Sequence, residues 1–373
     1  MPNSIGEVRM KKVLMLCATA LLSTSVSAVP TSTGHPELVG PKLLHWERDI
    51  VKTERADLTE PTSNRVWDLH SHTSSCDVGL STSGNYHMAL KDLWYGKFLP
   101  ENKDIVKDWF YTTSPPVSYA HVKTGLLAIG NWETSCKPTV AVGPKKLMKK
   151  LKTANYIEGK PVPIIQNQGN VLLVKKGNPK NIQTIWDLGR KGVSVVTSNP
   201  YSEPGSFGNY SGSIYNIAKN DEKNAPDGLT ADKLYKKIFN SKGKYWKSGY
   251  RIHHREVPWA VANGAADAGP MFYHLAVYAK KQFPELFDIV PLGGTIDSPV
   301  PLAGNKVGTM FIAKVKGDWN ENQLKARDAL IEGFQSEYFT EILKAHGLKR
   351  PKKPQSARVN YEHINFVLNT IYE

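Results

Sequence analysis

The sequence predicts an α/β protein built as two lobes, and three observations lead to this prediction. Predicted strands alternate with predicted helices along most of the chain, a pattern that produces sheets covered by helices on both faces. About 345 residues follow a predicted export signal, which exceeds one ordinary core and suits two lobes. No fixed-period repeat is present in the sequence, so a repeat architecture is not indicated.

Short apolar runs that end in polar or glycine-containing segments predict the strands. These strands fall at 78–80, 109–111, 138–142, 170–174, 193–196 and 268–272. Apolar residues at near-helical spacing predict the helices. Helices are expected at 86–98, 144–152, 182–188, 211–220 and 257–263, with another that ends near Leu127. Gly, Pro and Ser are frequent at 197–210, which therefore predicts a long loop between a strand and a helix.

The N-terminal 28 residues have the pattern of a secretory signal peptide. Lysines precede an apolar run at 13–22, and small residues at 26–28 have the spacing that a signal peptidase accepts. We therefore expect cleavage after Ala28 and a periplasmic location. A membrane anchor is the alternative, but the run is shorter than the roughly 20 residues needed to span a bilayer. A lipoprotein signal at Cys17 is disfavoured because Leu16 stands where such signals carry a small residue.

The chain is strongly basic, with a formal net charge of +14 at pH 7. Such a surplus favours acidic partners, among them anionic solutes. Lys and Arg are spread along the chain, and an exported protein is a poor candidate for nucleic-acid binding, so we expect no nucleic-acid partner. The alternative interpretation is that the charge provides solubility and only weak attraction of anions.

Two cysteines, Cys76 and Cys136, remain after the predicted cleavage site. An oxidising compartment permits them to pair, and both a disulfide and two free thiols stay open at this point. Two cysteines alone make a poor structural metal site, because structural zinc takes four ligands. We expect neither a cofactor nor a metal.

Three segments in a fixed order carry a family resemblance. They are a strand with a Lys-Gly-Asn-Pro turn at 170–180, a strand with a Glu-Pro-Gly loop at 192–205, and Val-Ala-Asn-Gly-Ala-Ala-Asp-Ala-Gly at 261–269. In this order they resemble the type II periplasmic solute-binding proteins of ABC transporters, closest to the molybdate, tungstate and sulfate group. The resemblance covers about residues 75–350.

The resemblance implies an architecture and a function. Each lobe would be a mixed, mostly parallel sheet flanked by helices, with the ligand in the interlobe cleft. After the signal peptide (1–28) and an N-terminal arm (29–65), residues 66–165 and 293–373 would form lobe 1, and residues 166–292 lobe 2. The protein would be a monomer, not an enzyme, that captures a small oxyanion-like ligand and delivers it to the membrane permease of an ABC importer.

Candidate ligand residues lie where predicted strands end, because open α/β sheets bind ligands at the carboxyl ends of their strands. Ser81, Thr82 and Ser83 follow one strand and precede a helix, whose free N–H groups attract an anion. The alternative is an ordinary helix cap, which needs only one of the three. Thr113 and Ser114 follow the second strand in the same manner.

The other lobe is expected to contribute Gly205, Ser206 and Tyr273. The resemblance places the backbone N–H groups of the first two against the anion and the Tyr273 ring near the ligand. A core aromatic is the alternative for Tyr273. Glu203 precedes this loop and would repel an anion if it pointed inward.

Metal binding is one alternative function. His70 and His72 lie on one face of a predicted strand and, with Cys76 and Asp77, make the better metal candidate. His253 and His254 are adjacent in sequence, so their side chains diverge, and no His-Glu-x-x-His pattern accompanies them.

Hydrolysis is a second alternative function. Ser81, His87 and Asp77 could form a hydrolytic set, but the Gly-x-Ser-x-Gly turn that presents a nucleophilic serine is absent from the sequence. A sensory binding protein with the same fold also stays open.

Overall fold

The computed structural model describes residues 69–71, 76–112, 116–129, 132–240, 244–249 and 252–351. The predicted signal peptide, the arm at 29–65, and three candidate site residues (His72, Thr113 and Ser114) lie outside them. Within the described residues the fold is mixed α/β, as predicted. No helix of this part combines the length and the apolar character needed to cross a membrane.

One half of the fold, which we call lobe 1, contains three small sheets. The first has the order β1 (Leu69–Ser71), β3 (Trp109–Thr112) and β2 (Val78–Ser81). The second has the order β6 (Val140–Pro144), β13 (Thr309–Lys314) and β7 (Val162–Gln166), and is antiparallel throughout. A hairpin joins β4 (Leu127–Ile129) to β5 (Trp132–Thr134). Because β2 and β3 are parallel, their carboxyl ends lie at one edge of the sheet.

Helices from both ends of the chain cover these sheets. They are α1 (His87–Leu93), α2 (Leu99–Glu101), α3 (Tyr119–Thr124), α4 (Lys145–Thr153), α9 (Glu321–Gln335) and α10 (Glu337–Ala345). A π-helical turn at Trp94–Phe98 links α1 to α2. Leu90 and Trp94 pack with Phe334 in the core of lobe 1, which explains why residues so distant in sequence belong to one lobe.

The other half, lobe 2, contains one five-stranded sheet. Its order is β10 (Trp246–Ser248), β9 (Val195–Thr197), β11 (Ala268–Phe272), β8 (Asn170–Lys175) and β12 (Phe287–Val290). The helices of lobe 2 are α5 (Pro204–Asn220), α6 (Ala231–Phe239), α7 (His253–Ala262) and α8 (Tyr273–Gln282). Since β9, β10 and β11 are parallel, their carboxyl ends lie at one edge, and α5, α7 and α8 begin beyond that edge.

Two helices begin earlier than the sequence predicts. α5 starts at Pro204 instead of residue 211, so the predicted loop at 197–210 is much shorter. Proline is favourable in the first helical turn, and burial of Phe207 offsets the poor helix propensity of the surrounding glycines. α7 starts at His253 instead of residue 257, because a carboxylate oxygen of Glu203 accepts the His253 N–H at 3.0 Å.

Two asparagines tie together the segments that connect the lobes. The side-chain oxygen of Asn167 accepts the N–H groups of Gly169 and Gly308, both at 3.1 Å. The Asn305 side chain accepts from the Asn170 N–H and donates to the Asn170 carbonyl, both at 2.8 Å. The two connections therefore run side by side and are held by side-chain hydrogen bonds.

Gly304, which precedes the second connection, lies against the backbone of α5. Its φ is +92°, and a Cβ atom there would lie 2.4 Å from the carbonyl carbon and oxygen of Asn216. We expect Gly304→Ala to lower the free energy of unfolding by about 2 kcal/mol, measured by urea denaturation. Gly228→Ala is the matched control, since Gly228 has a φ of +72° but open space around it. Its cost should be about 1 kcal/mol, and equal losses in the two variants would refute the steric argument.

Cys76 and Cys136 form a disulfide, which resolves the alternative that the sequence left open. Their Cα atoms are 5.4 Å apart and their sequence separation is 60 residues. The bond joins the segment before β2 to the segment before β6. A Cβ atom on Gly79 would lie 2.8 Å from the Cys136 sulfur, so glycine gives the bridge its space.

Candidate functional site

The two lobes contact each other through the turn that precedes α1. The carbonyl of Asn85 accepts a hydrogen bond from Nε2 of His274 at 2.6 Å. The Tyr86 ring stacks on His274 with 5.2 Å between centroids, and the His87 ring stacks on His254 at the same distance. Three consecutive residues of lobe 1 therefore lie against the first turns of α7 and α8 in lobe 2.

His254 is the most unusual residue at this boundary. Its side chain is 4% exposed, and neither ring nitrogen has a hydrogen-bond partner among the described residues. Burial, reinforced by His87 and His253 nearby, holds the pKa of His254 well below its ordinary value of 6.5. The ring is therefore neutral at pH 7 and presents one N–H donor and one lone-pair acceptor. A buried polar group with no partner marks a place where a ligand can supply the missing bonds.

The neighbouring His253 is oriented by Glu203. One carboxylate oxygen of Glu203 lies 2.8 Å from Nδ1 of His253, while the other accepts the His253 backbone N–H. This leaves Nε2 of His253 buried and without a partner. Both oxygens of the Glu203 carboxylate therefore contact His253 at the start of α7.

Further buried polar atoms without partners lie at strand ends. They are Oγ1 of Thr82 after β2, Oγ of Ser198 after β9 and Oδ1 of Asn170 at the start of β8. Asn170 pairs in register with Phe272, whose ring lies 5.2 Å from that of Tyr210. These atoms belong to the edge of each sheet where ligands of open α/β proteins bind.

Ser81, Thr82 and Ser83 follow β2, as predicted. Ser81 and Thr82 are buried, and the Thr82 N–H donates to the carbonyl of Thr112 at 3.0 Å. The Ser83 hydroxyl accepts the Asn85 N–H at 3.4 Å, which is the capping role that the sequence offered as the alternative. The hydroxyl of Thr82 is buried and has no hydrogen-bond partner among the described residues.

The three candidates from lobe 2 occupy different surroundings. Gly205 is exposed and Ser206 is half-buried, and both lie in the first turn of α5, where helix N–H groups lack intrahelical partners. The Tyr273 hydroxyl donates to the carbonyl of Ile296 at 2.6 Å. Gly347 of lobe 1 lies under the Tyr273 ring, since a Cβ atom there would be 2.7 Å from the ring. The ligand role of all three stays a prediction.

Sequence reasoning missed the histidines at the lobe boundary as a group. His87, His253, His254 and His274 are at most 4% exposed. They lie close together because residues far apart in sequence meet, as His87 and His254 do. A local sequence pattern does not reveal such a contact. The one available signal was the pair at 253–254, which directly precedes an apolar helical run and so marks a helix amino end.

The alternative functions find little support in the described residues. No group of three His, Cys, Asp or Glu side chains in this part is placed to hold a metal, and the disulfide removes the Cys76 thiolate. Asp77 accepts the N–H groups of Lys107 and Asp108 at 2.8 and 3.0 Å. Nδ1 of His87 lies 2.9 Å from the Gly84 carbonyl, so Asp77 does not orient that histidine for hydrolysis.

The sequence and the fold of this chain are both similar to those of known solute-binding proteins. A family model described as bacterial extracellular solute-binding protein matches residues 133–349, more than half of the chain. The sulfate-binding protein of Escherichia coli (strain K12) is 44% identical over 71 residues, which are 18% of this chain and 21% of that protein. The match therefore spans about a fifth of the length of that relative.

Two solved structures that align with this chain are a sulfate-binding and a molybdate-binding protein. The sulfate-binding protein SubI from Mycobacterium tuberculosis H37Rv aligns with a TM-score of 0.50 at 15% identity, covering 75% of this chain and 88% of that one. The periplasmic molybdate-binding protein of Azotobacter vinelandii aligns with a TM-score of 0.45 at 15% identity, covering 74% and 100%. The alignment with SubI confirms the two-lobe α/β fold predicted from the sequence.

Proposed function

Since the chain belongs to the family of bacterial extracellular solute-binding proteins, we propose that it captures a small oxyanion between its lobes for an ABC importer. The observation that carries this proposal is the set of buried polar groups without partners at the lobe boundary, centred on His254 at the start of α7. A helix amino end offers several N–H donors and a partial positive charge to an anion. The names of the relatives, sulfate-binding and molybdate-binding, point to the same ligand class.

The charges near the site also suit an anion. Arg255 follows His254 and is 7% exposed, and the net charge of the whole chain is +14. Glu203, the nearest acidic candidate, is engaged by His253. Arg255 would add a positive charge close to a ligand held beside His254.

The proposal includes the residues and lobes predicted from the sequence. The ligand contacts would come from Ser81, Thr82, Ser83, Thr113 and Ser114 on lobe 1, and from Gly205, Ser206 and Tyr273 on lobe 2. The predicted lobe boundary at residue 293 would move to about Asn305, because the Leu302 N–H donates to the Leu292 carbonyl and Gly304 packs on α5. The paired connections at Asn167 and Asn305 would form the hinge for closure.

Export and delivery complete the proposed function. The mature chain would begin after Ala28, act as a monomer in the periplasm and pass its ligand to a membrane permease without catalysing a reaction. N-terminal sequencing of protein recovered from the periplasm tests the cleavage site, and a mature chain that retains residues 1–28 would contradict it.

We expect isothermal titration calorimetry of the mature chain to detect an oxyanion among sulfate, molybdate and phosphate. Ser206→Trp should abolish this binding, because a large ring in the first turn of α5 would obstruct closure. Thr153→Trp, on the exposed face of α4, is the control and should bind as the wild type does. Failure of all three oxyanions to bind the folded wild type would overturn the proposed function, whereas normal binding by Ser206→Trp would relocate the site.

A further inference from the structure

We propose that the lysine-bearing face of α4 binds the anionic headgroups of a membrane surface, so that the protein adsorbs reversibly to a bilayer. This surface is separate from the ligand site between the lobes, because α4 lies on lobe 1 and contributes no residue to that site. Three features of α4 point to a membrane partner: its exposed charge, its unfavourable helix electrostatics and a depression beside it.

One side of α4 carries only cationic side chains. All five lysines of the helix are exposed, and we call them the lysine face: Lys145, Lys146, Lys149, Lys150 and Lys152. The other side holds Met148 and Leu151, which are buried in a hydrophobic cluster of lobe 1. Residues 135–157 contain six lysines and no Asp or Glu, so this part of the sequence supplies no charge to offset the lysine face.

The positions of these lysines oppose the stability of α4 itself. Lys145 and Lys146 lie in the first turn, where the helix dipole is unfavourable to cations, and Pro144 provides no side-chain cap. Lysines also stand four residues apart at 145 and 149 and at 146 and 150, and such like-charged pairs destabilise a helix. Within the described part of the chain, Lys145 and Lys149 form no ion pair with a carboxylate. An anionic surface would relieve this repulsion.

A second helix of the same protein has the opposite arrangement. α6 also has nine residues, but the Thr230 side chain caps its amino end by accepting the Lys233 N–H, and Asp232 lies in its first turn. Lys236 and Lys237 lie in its last turn, where cations are favourable. The lysine face of α4 therefore departs from helix electrostatics that this chain follows elsewhere, and such a departure indicates a role outside the helix.

A depression beside the lysine face has space for a headgroup. It has a volume of about 390 Å³, is open to solvent, and is lined by three of the lysines together with Tyr119, Thr153 and Ala154. Nζ of Lys150 lies 4.3 Å from the centroid of the Tyr119 ring. Tyrosine and lysine both join an apolar body to a polar end, which suits them to the headgroup region of a bilayer.

The choice of lysine favours a lipid surface over an acidic protein. The lysine face contains no arginine, although the planar guanidinium group recognises single carboxylates or phosphates better, through paired hydrogen bonds. Lysine is a point charge on a flexible stem. A group of such charges fits a bilayer, whose anionic headgroups are numerous and move laterally.

Co-sedimentation of the mature chain with lipid vesicles tests this proposal. One set of vesicles contains phosphatidylglycerol and phosphatidylcholine, and the other contains phosphatidylcholine alone. We expect the protein to bind only the first set at about 50 mM salt and to be released at about 500 mM, because salt screens exposed charges.

A double variant assigns the binding to the lysine face. Lys149→Gln with Lys150→Gln should weaken binding to the anionic vesicles about 25-fold, since each lysine near such a surface contributes about fivefold. The variant loses like-charge repulsion, so it should remain folded, which urea denaturation checks. Lys236→Gln with Lys237→Gln on α6 is the matched control, because it removes the same charge from a helix of equal length and should bind as the wild type does.

Several outcomes would overturn the membrane assignment. One is a wild-type protein that does not bind the anionic vesicles or binds phosphatidylcholine vesicles equally well. Another is equal weakening in the α4 and α6 variants, which would make net charge responsible instead of the lysine face. Binding to soluble polyglutamate without binding to vesicles would indicate an acidic protein partner in place of a membrane. Oxyanion binding should be the same in the wild type and both variants, so failure here leaves the proposed function intact.

Discussion

Lowering the pH from 7.5 to 5 is expected to cost the protein about 2 kcal/mol of stability through His274 alone. Burial lowers the pKa of His274 to about 3, although its hydrogen bond to the Asn85 carbonyl acts in the opposite direction. The ordinary value of 6.5 applies in the unfolded chain. Between these two values the unfolded state binds more protons than the folded state, so stability falls as the pH falls below 6.5.

The total loss of stability on acidification to pH 5 should exceed the part that comes from His274. The pKa of His254 is lowered in the same direction, also chiefly by burial, and His87 and His253 lie beside it. The carboxylates of Asp92 and Asp288 contribute little to the pH dependence between pH 5 and 6.5. Although burial opposes it, hydrogen bonds from neighbouring groups lower the pKa of Asp92 and Asp288 below 3.8, so both remain ionised at pH 5. Acid sensitivity above pH 5 therefore reports on buried histidines.

Urea denaturation at several pH values measures this effect. The slope of stability against pH between 5 and 6.5 should become shallower in His274→Gln, which cannot titrate. His346→Gln is the comparison, because His346 pairs with the half-exposed Asp92 within lobe 1 and not across the lobe boundary. A wild-type stability that stays constant from pH 7.5 to 5 would refute the assignment of neutral, buried histidines to the boundary.

The fold was predictable where local patterns and tertiary structure agree. The strand predicted at 268–272 has the bounds of β11, and the strand at 170–174 differs from β8 by one residue. Both are buried apolar runs that end in turn residues, so composition alone defines them. In the Lys-Gly-Asn-Pro turn after β8, Gly177 and Asn178 have positive φ, which these two residue types tolerate.

Local composition did not predict the first residues of α5 and α7. Pro204, Gly205 and Gly208 have loop composition, and the segment is helical because Phe207 and Tyr210 are buried in the core of lobe 2. Tertiary packing often outweighs helix propensity in this way.

The late start predicted for α7 affected the choice of candidate site residues, because helix amino ends are the parts expected to face an anionic ligand. Placing the start of α7 at 257 removed His253 and His254 from consideration as helix-end residues. The contact of His254 with His87 joins residues that are far apart in sequence, so no spacing rule detects it.

Reduction of the Cys76–Cys136 disulfide is expected to lower the free energy of unfolding by about 4 kcal/mol, on the loop-entropy estimate for a separation of 60 residues. The open chain gains conformational freedom in the unfolded state, while the surrounding contacts, such as that of His121 with the Cys136 carbonyl, persist in the folded state.

Urea denaturation with and without dithiothreitol measures this difference, and the double variant Cys76→Ser with Cys136→Ser is the control. That variant should match the reduced wild type and should not respond to the reductant. Two free thiols in native, non-reduced mature protein, by thiol titration, would refute the bridge. An unchanged urea midpoint after verified reduction would contradict the expected gain of conformational freedom in the unfolded chain.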